Sequence, residues 1–529
     1  MTIMHELELK FAVPSYTQNS LKKQIDTKTA HQQRLCAYYF DTPDQALAKV
    51  GIALRIRYEN QQWVQTLKTA GDGIAKRIEL NAALALTADP DTLDINTLKP
   101  NLALIDHPQV QQQLMHIMPS PQLTRALTIQ YFTDVARTTR VVKKNNSSIE
   151  IAYDLGKVCQ GAQTANPDAA VTPTPNDVAR IHEIEFELLD GEVADLIDVA
   201  KTWCKRYKLS LSTVTKAQRG SLLLANQTYA APVKADLTKL QLNPRISEFA
   251  FLQAVINNCL LQILPNATAI AEGSDDGNLV HQLRVGIRRL RTVLKVFKFA
   301  PTYVDPNWLL VLKQTFSILG EYRDQEILQT KTQPMLETVG APPVSWSTKV
   351  PIMPIDAVRA NDFQIVLLEL IGFTHLPAPK NNPKAKPTVR KKLKKLFNRV
   401  AVASEHFAKL DTESQHSVRK NLKTLRYISE FAAPLFLTTK TKKTTKNKKP
   451  HHRAKNTSKL TAFLQYLEPA QDVLGEYNDN VVGHARYLEK SKTDASALFA
   501  VGWFCGREQA SAEHCATSLK TVKNAPVFW

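Results

Sequence analysis

Cysteine is sparse and scattered: Cys36, Cys159, Cys204, Cys259, Cys505 and Cys515 are the six in 529 residues, and no two form a C-x-x-C. No His or Cys cluster has zinc spacing, and cysteines so scattered favour reduced thiols over a disulfide framework. No run of about eighteen apolar residues occurs, and Met1-Thr2-Ile3-Met4-His5-Glu6 is neither a charged nor an apolar leader. The chain therefore reads as soluble and cytoplasmic, with no membrane partner. Aromatics do not interleave its basic tracts, so nucleic acid is not the expected partner despite a formal charge of +19. At 43% apolar, the composition supports two or three domains with sizeable cores.

The positive charge is uneven. Residues 241–529 hold 41 Lys+Arg against 24 Asp+Glu, whereas residues 1–240 hold 27 against 25. The basic character thus belongs to the second half, beyond a linker near Tyr229-Ala230-Ala231-Pro232-Val233-Lys234.

What the first half has is alternation. Glu6-Leu7-Glu8-Leu9-Lys10 puts two carboxylates and an ammonium on one face of a strand, and Leu7, Leu9 and Phe11 on the other. Such a face suits a solvated surface or a polar, ligand-filled cavity. The pattern repeats in Leu54-Arg55-Ile56-Arg57, Val64-Gln65-Thr66-Leu67-Lys68, Lys76-Arg77-Ile78-Glu79-Leu80, Ile149-Glu150-Ile151-Ala152-Tyr153-Asp154 and His182-Glu183-Ile184-Glu185-Phe186-Glu187-Leu188. About seven such strands predict an antiparallel sheet closed into a barrel, ionic inside and partly covered by helices outside.

These runs, with Tyr39-Phe40-Asp41-Thr42-Pro43, Thr66-Leu67-Lys68-Thr69 and Thr215-Lys216-Ala217-Gln218-Arg219-Gly220, resemble the CYTH domain of the triphosphate tunnel metalloenzymes over residues 1–225. The resemblance implies an eight-stranded tunnel and a metal-dependent inorganic triphosphatase that cleaves tripolyphosphate to pyrophosphate and phosphate. Thiamine triphosphatase and class IV adenylate cyclase chemistry are the enzymatic alternatives, and a non-catalytic polyphosphate scaffold is the other. An extended polyanion needs surrounding cations, which Arg55, Arg57, Lys68, Arg77, Arg137, Lys216 and Arg219 supply. Arg125 or Arg140 could stand in for Arg137, whose segment matches the family pattern loosely. Glu6, Glu8, Asp154, Glu185 and Glu187 offer hard oxygen ligands for magnesium or manganese. Each of these carboxylates could instead balance a neighbouring lysine or arginine. Glu6, Glu8, Lys10, Lys68 and Arg57 form the expected catalytic set. Ala75, before Arg77, departs from the more polar residue expected there.

The second half repeats itself. His281, Arg284, Arg288 and Arg291 share their offsets with His416, Arg419, Lys423 and Arg426, and each set falls on one helix face. Neither eleven-residue stretch contains an acidic residue. Leu319-Gly320-Glu321-Tyr322-Arg323-Asp324 recurs as Leu474-Gly475-Glu476-Tyr477-Asn478-Asp479. Glu413 lies one turn before His416, but no carboxylate or second histidine sits at ligand spacing from His281, so both histidines are expected to bond phosphate or a neighbouring helix; Asp324 and Asp479 are expected to cap or pair with the basic helices.

This half resembles a CHAD domain. The resemblance implies an all-α domain of two pseudo-symmetric four-helix bundles whose two basic stripes, the eight residues just named, bind inorganic polyphosphate. The predicted organisation is a CYTH domain at 1–225, a linker at 226–244, and a CHAD domain at 245–525 with halves at 245–375 and 388–525. His281 to Asp324 spans 43 positions and His416 to Asp479 spans 63, and the excess reads as a flexible lysine-rich insertion at 440–459.

Overall fold

The computed structural model describes residues 2–59, 61–70, 76–86, 93–161, 177–240, 242–297, 304–346, 350–437 and 451–529. Ala75 and most of the predicted insertion, including Lys440 to Lys449, lie outside the described residues. The chain divides into two compact units, Met1–Val233 with Leu260–Gln282 and Val358–Leu376, and Lys234–Cys259 with Leu283–Ala357 and Pro377–Trp529. All six cysteines are free.

In the first unit the alternating runs become an antiparallel sheet of nine strands: β1 (Thr2–Ala12), β2 (His31–Asp41), β3 (Ile52–Glu59), β4 (Gln62–Ala70), β5 (Lys76–Ala83), β6 (Thr128–Lys144), β7 (Ser147–Gln160), β8 (Val178–Asp190) and β9 (Ser210–Leu211). Their order is β5-β4-β3-β2-β6-β7-β8-β1-β9, and β5 also pairs with β1, so the hydrogen-bonded ladder returns on itself. The ninth strand is a two-residue addition to Phe11 and Ala12 of β1.

Alternation then decides where the core sits. Tyr38, Phe40, Leu54, Ile56, Trp63, Leu67 and Leu80 all point away from the charged face. They pack with Ile95, Leu98, Ile105, Val110, Leu114 and Leu123 from the segment between β5 and β6. A second layer covers β8, where Phe186 meets Phe11 and Trp203 edge-on at 5.5 and 5.7 Å, Trp203 lying on the helix Val193–Tyr207. The apolar cores thus lie outside the wall, each Leu, Ile or Phe side chain contributing about 1.5–3 kcal/mol on burial, and the charged face is turned inward.

The second unit is mostly helical. Helices Ala385–Glu405, Thr412–Leu437, His451–Lys490 and Leu498–Val522 pack each against the next, and the first against the last. Residues 451–459, expected within a flexible insertion, instead open the helix His451–Lys490; good helix formers such as Ala454, Lys455 and Leu460 carry it there.

The helix Glu248–Glu272 is long and apolar enough to cross a membrane by length and composition, though 78% of its most apolar window is buried in the fold. Its polar residues are bonded within their own units. Asn258 donates to the Asp236 carbonyl at 2.7 Å, and Asn266 donates to that of Val233 at 2.9 Å. Buried amides satisfied in this way are what a protein core demands of such a helix.

Candidate functional site

A cavity of about 770 Å³ opens inside the sheet of the first unit. Of the residues expected there, Glu8, Lys10, Arg55, Arg57, Lys68, Arg137, Asp154, Glu185, Glu187 and Lys216 line it. The side chains of Glu6 and Arg77 lie outside the described part of the structure, but their backbones face each other in the β1–β5 register.

Three cross-strand rows organise the acids. Directly opposed residues share a face, and one row runs Arg137, Asp154, Glu183 across β6, β7 and β8. Glu185 opposes Lys10 in the next, and Glu150, Glu187 and Glu8 align in the third.

The first two rows are internally compensated. Arg137 donates to Asp154 through two nitrogens, Nε to Oδ1 at 2.7 Å and Nη2 to Oδ2 at 2.6 Å, and from Nη2 to Glu185 at 2.6 Å. Lys216 reaches Asp154 at 2.7 Å, Glu185 at 3.2 Å and also Glu183, while Lys10 lies 3.1 Å from Glu185 and 3.5 Å from Glu183. Three buried carboxylates therefore meet three cations. Burial alone would raise the Glu185 carboxyl, but Lys216, Lys10 and Arg137 hold it well below the usual carboxylate range. Burial opposes the Lys216 charge in turn, and Glu183, Glu185 and Asp154 keep its pKa well above the ordinary lysine value.

Oxygens of Asp154, Glu183 and Glu185 lie within 4.8 Å of one another, close enough for a metal ion to bridge. The same oxygens already hold ammonium and guanidinium groups, so a metal would have to displace Lys216 or Arg137. The third row differs. Among the described residues no ion pair reaches Glu8, Glu150 or Glu187, and Glu187 is pushed up to about 7 by burial and then by Glu8 and Glu150. Adjacent carboxylates that resist ionising together are the donor set a hard divalent cation relieves. Glu150 and Glu183 were not singled out from sequence, although their alternation with Ile149 and Ile184 carried the signal.

Opposite the acids stands a cationic wall. Arg55 and Arg57 come from β3 and Lys68 from β4; Lys68 pairs with Glu79 of β5, and Arg57 with Glu59. Burial and then Arg55 bring Arg57 down to about 10, the mark of cations crowded together. Tyr39 stacks on Tyr131 at 4.8 Å between ring centres and also faces the cavity. Asp41 accepts from the backbone N–H groups of Thr42, Leu47 and Ala48 at 2.7–3.0 Å, which fixes the short helix Ala46–Lys49 at the cavity edge.

Two arginines expected near substrate are placed by helix and strand phase. The helix Lys216–Leu224 lines the cavity with Lys216, Ala217, Gln218 and Ser221. Arg219 falls on its opposite side and donates to Glu272 at 3.0 Å, so it is not a cavity residue. Arg137 rather than Arg140 enters the cavity; Arg140 donates to the Gln24 carbonyl at 2.9 Å and lies over Trp203. Arg125 is exposed.

In the second unit the basic stripes converge. Arg284, Arg288 and Arg291, on the helix Gly277–Val296, surround the Phe316 ring at 4.4, 5.2 and 5.1 Å, and Arg284 donates to the Phe316 carbonyl at 2.9 Å. Gly320 makes room: a Cβ there would sit 2.3 Å from Arg284 Nη1. Burial and then Arg288 lower the Arg419 guanidinium, so the facing helices bring like charges together. Arg426 donates to Glu430 at 2.8 Å and to Gln471 at 2.7 Å, and Gln471 stands where the first repeat has Phe316. Asp324 lies 4.0 Å from Arg486; burial raises its carboxyl despite Arg284 and Arg486 nearby. His281 and His416 are both exposed, and His416 hydrogen-bonds Asn478 of the neighbouring helix His451–Lys490.

The CYTH domain model matches residues 4–221 and the CHAD domain model residues 254–488. The chain is 32% identical over 231 residues to an inorganic triphosphatase of Haemophilus influenzae, a match covering 42% of this chain and 56% of that protein. The chain thus spans about half the length of that relative. Among solved structures, the CHAD domain from the plant Ricinus communis shares 23% identity over 55% of this chain and 96% of its own, with a TM-score of 0.43. An adenylyl cyclase candidate from Hippeastrum, described as having a dominant triphosphatase activity, shares 15% identity over 42% of this chain and 96% of its own, with a TM-score of 0.27. The chain therefore carries a CYTH domain at residues 4–221 followed by a CHAD domain at residues 254–488.

Proposed function

We propose that the CYTH half is a metal-dependent inorganic triphosphatase, cleaving tripolyphosphate to pyrophosphate and phosphate, and that the CHAD half binds polyphosphate. The observation that carries this reading is one cavity with a cationic wall of Arg55, Arg57 and Lys68 and, facing it, Glu8 and Glu187, an acidic row that Glu150 extends in register and that no ion pair reaches among the described residues. The arginines grip phosphoryl oxygens through two nitrogens each, and Lys68 acts as a point charge. Glu6 and Glu8, with Glu187 and Glu150, would hold magnesium or manganese. When bound, that ion neutralises triphosphate charge and makes water more acidic. Asp154, Glu183 and Glu185 serve to fix Lys10, Arg137 and Lys216, so these cations meet the substrate already oriented. Burial, then Glu8 and Glu150, raise Glu187 to about 7, so about half of it carries a proton at neutral pH.

Phosphate release with magnesium or manganese tests the assignment, comparing tripolyphosphate, ATP, thiamine triphosphate and long-chain polyphosphate. Turnover concentrated on tripolyphosphate supports it, and preference for thiamine triphosphate or ATP replaces it with one of the alternatives. No release from any of them, with long-chain polyphosphate still bound, would make both halves a scaffold. Binding to the CHAD half is read separately: long-chain polyphosphate affinity should fall steeply with salt and weaken in Arg288→Ala.

A further inference from the structure

Lys423 occupies an unusual position among the basic groups of the second unit. It lies one turn after Arg419 and one turn before Arg426 on the helix Thr412–Leu437, so all three share a face. Arg288 approaches from the facing helix and Asp479 from the helix His451–Lys490. Two of the three guanidinium groups are fixed, Arg288 against the Phe316 ring at 5.2 Å and Arg426 by Glu430 and Gln471. The buried Nε of Arg419 has no hydrogen-bond partner. No hydrogen bond or ion pair reaches Lys423 itself among the described residues, and the side chain is only half-buried.

We propose that Lys423 is a self-modifying lysine, acylated by acyl phosphates that the surrounding arginines recruit. The guanidinium groups bind the phosphate end of the reagent, which places its carbonyl carbon beside the amine. The Nζ lone pair forms the new C–N bond, the C–O bond to phosphate breaks, and the amine proton leaves with the departing hydrogen phosphate. No oxidant or second protein is needed. Burial, then Arg419 and Arg288, hold the Lys423 ammonium down at about 7, so a large share of it is free amine at neutral pH. Asp479 partly offsets this and Arg426 adds to it. An acyl group would remove a cation from the stripe and weaken its hold on polyanions. The inference shares with the proposed function only the premise that this cluster receives phosphate groups.

Lys420 is the internal control, being exposed on the same helix. The full-length protein is incubated with acetyl phosphate at pH 7.5, and acetylation of both lysines is followed by peptide mass spectrometry. Lys423 should react about tenfold faster or more, lose that advantage in Arg288→Gln, and be protected by pyrophosphate. Equal rates at Lys420 and Lys423 in the unaltered protein overturn the proposal, as does equal labelling by an uncharged acetylating reagent such as an acetyl ester. Polyphosphate binding measured on the same sample separates the two readings. Selective labelling without polyphosphate binding leaves this proposal standing alone, and binding without selective labelling sinks it alone.

Discussion

Both halves of the chain gather cations, but they treat them in opposite ways. In the first unit Lys10, Arg137 and Lys216 are each held by Asp154, Glu183 or Glu185. In the second, Arg288, Arg419 and Lys423 push against one another, and Arg419 and Lys423 lose basicity to burial first and to this repulsion second. A compensated cation costs little to bury and stays in one geometry, which suits a site that must align a reacting bond. An uncompensated cluster pays repulsion until an anion arrives, which suits retention of a long flexible polyanion in many registers.

The largest effect that would sharpen this contrast lies in the acidic row. Glu8→Gln should lower metal-dependent tripolyphosphate turnover about a hundredfold or more while circular dichroism stays unchanged; an active variant would break the assignment of that row. Next comes the compensated network. Asp154→Asn strips Arg137 and Lys216 of a fully buried partner and should cost about 3 kcal/mol of stability, read by denaturant unfolding.

A pH experiment on Glu187 follows. Its folded pKa, about 7, lies above the ordinary 4.5, so between those values the folded state binds more protons than the unfolded one. Stability contributed by this group is full below about pH 4.5 and declines as pH rises through 7. The melting temperature of the metal-free protein should fall over that window, and Glu187→Gln should flatten the fall.

The smallest effect compares the two repeats. Gly320→Ala forces Arg284 away from the Phe316 carbonyl and should weaken polyphosphate binding several-fold, about 1 kcal/mol. At Gly475, where an added Cβ meets nothing within 4 Å, alanine should instead stabilise the helix by about 0.5–1 kcal/mol. Equal behaviour would mean that the repeats are energetically as well as sequentially alike.

Much of this was legible in the sequence, because period-two alternation and the histidine-led repeat are local signals. Glu8, Lys10, Arg55 and Arg57 needed only their own strands to reveal a charged inward face. What was hidden is register. Whether Glu185 meets a metal or Lys10 depends on β8 pairing with β1, and whether Glu150 joins Glu8 depends on β7 pairing with β8. The pairing of Arg219 with Glu272 was hidden for a related reason: a short motif names residues, but helix phase decides which of them turn inward. The pairing of Arg288 with Arg419 and Lys423 likewise required two distant helices to meet.

The inverted arrangement of the first unit's wall, greasy outside and ionic inside, separates upkeep from traffic. Hydrophobic packing that keeps the strands together sits behind the wall, where solutes never pass. Water and ions can therefore leave the cavity and refill it without disturbing the contacts that hold the protein folded, and the side chains lining it can be exchanged at little structural risk.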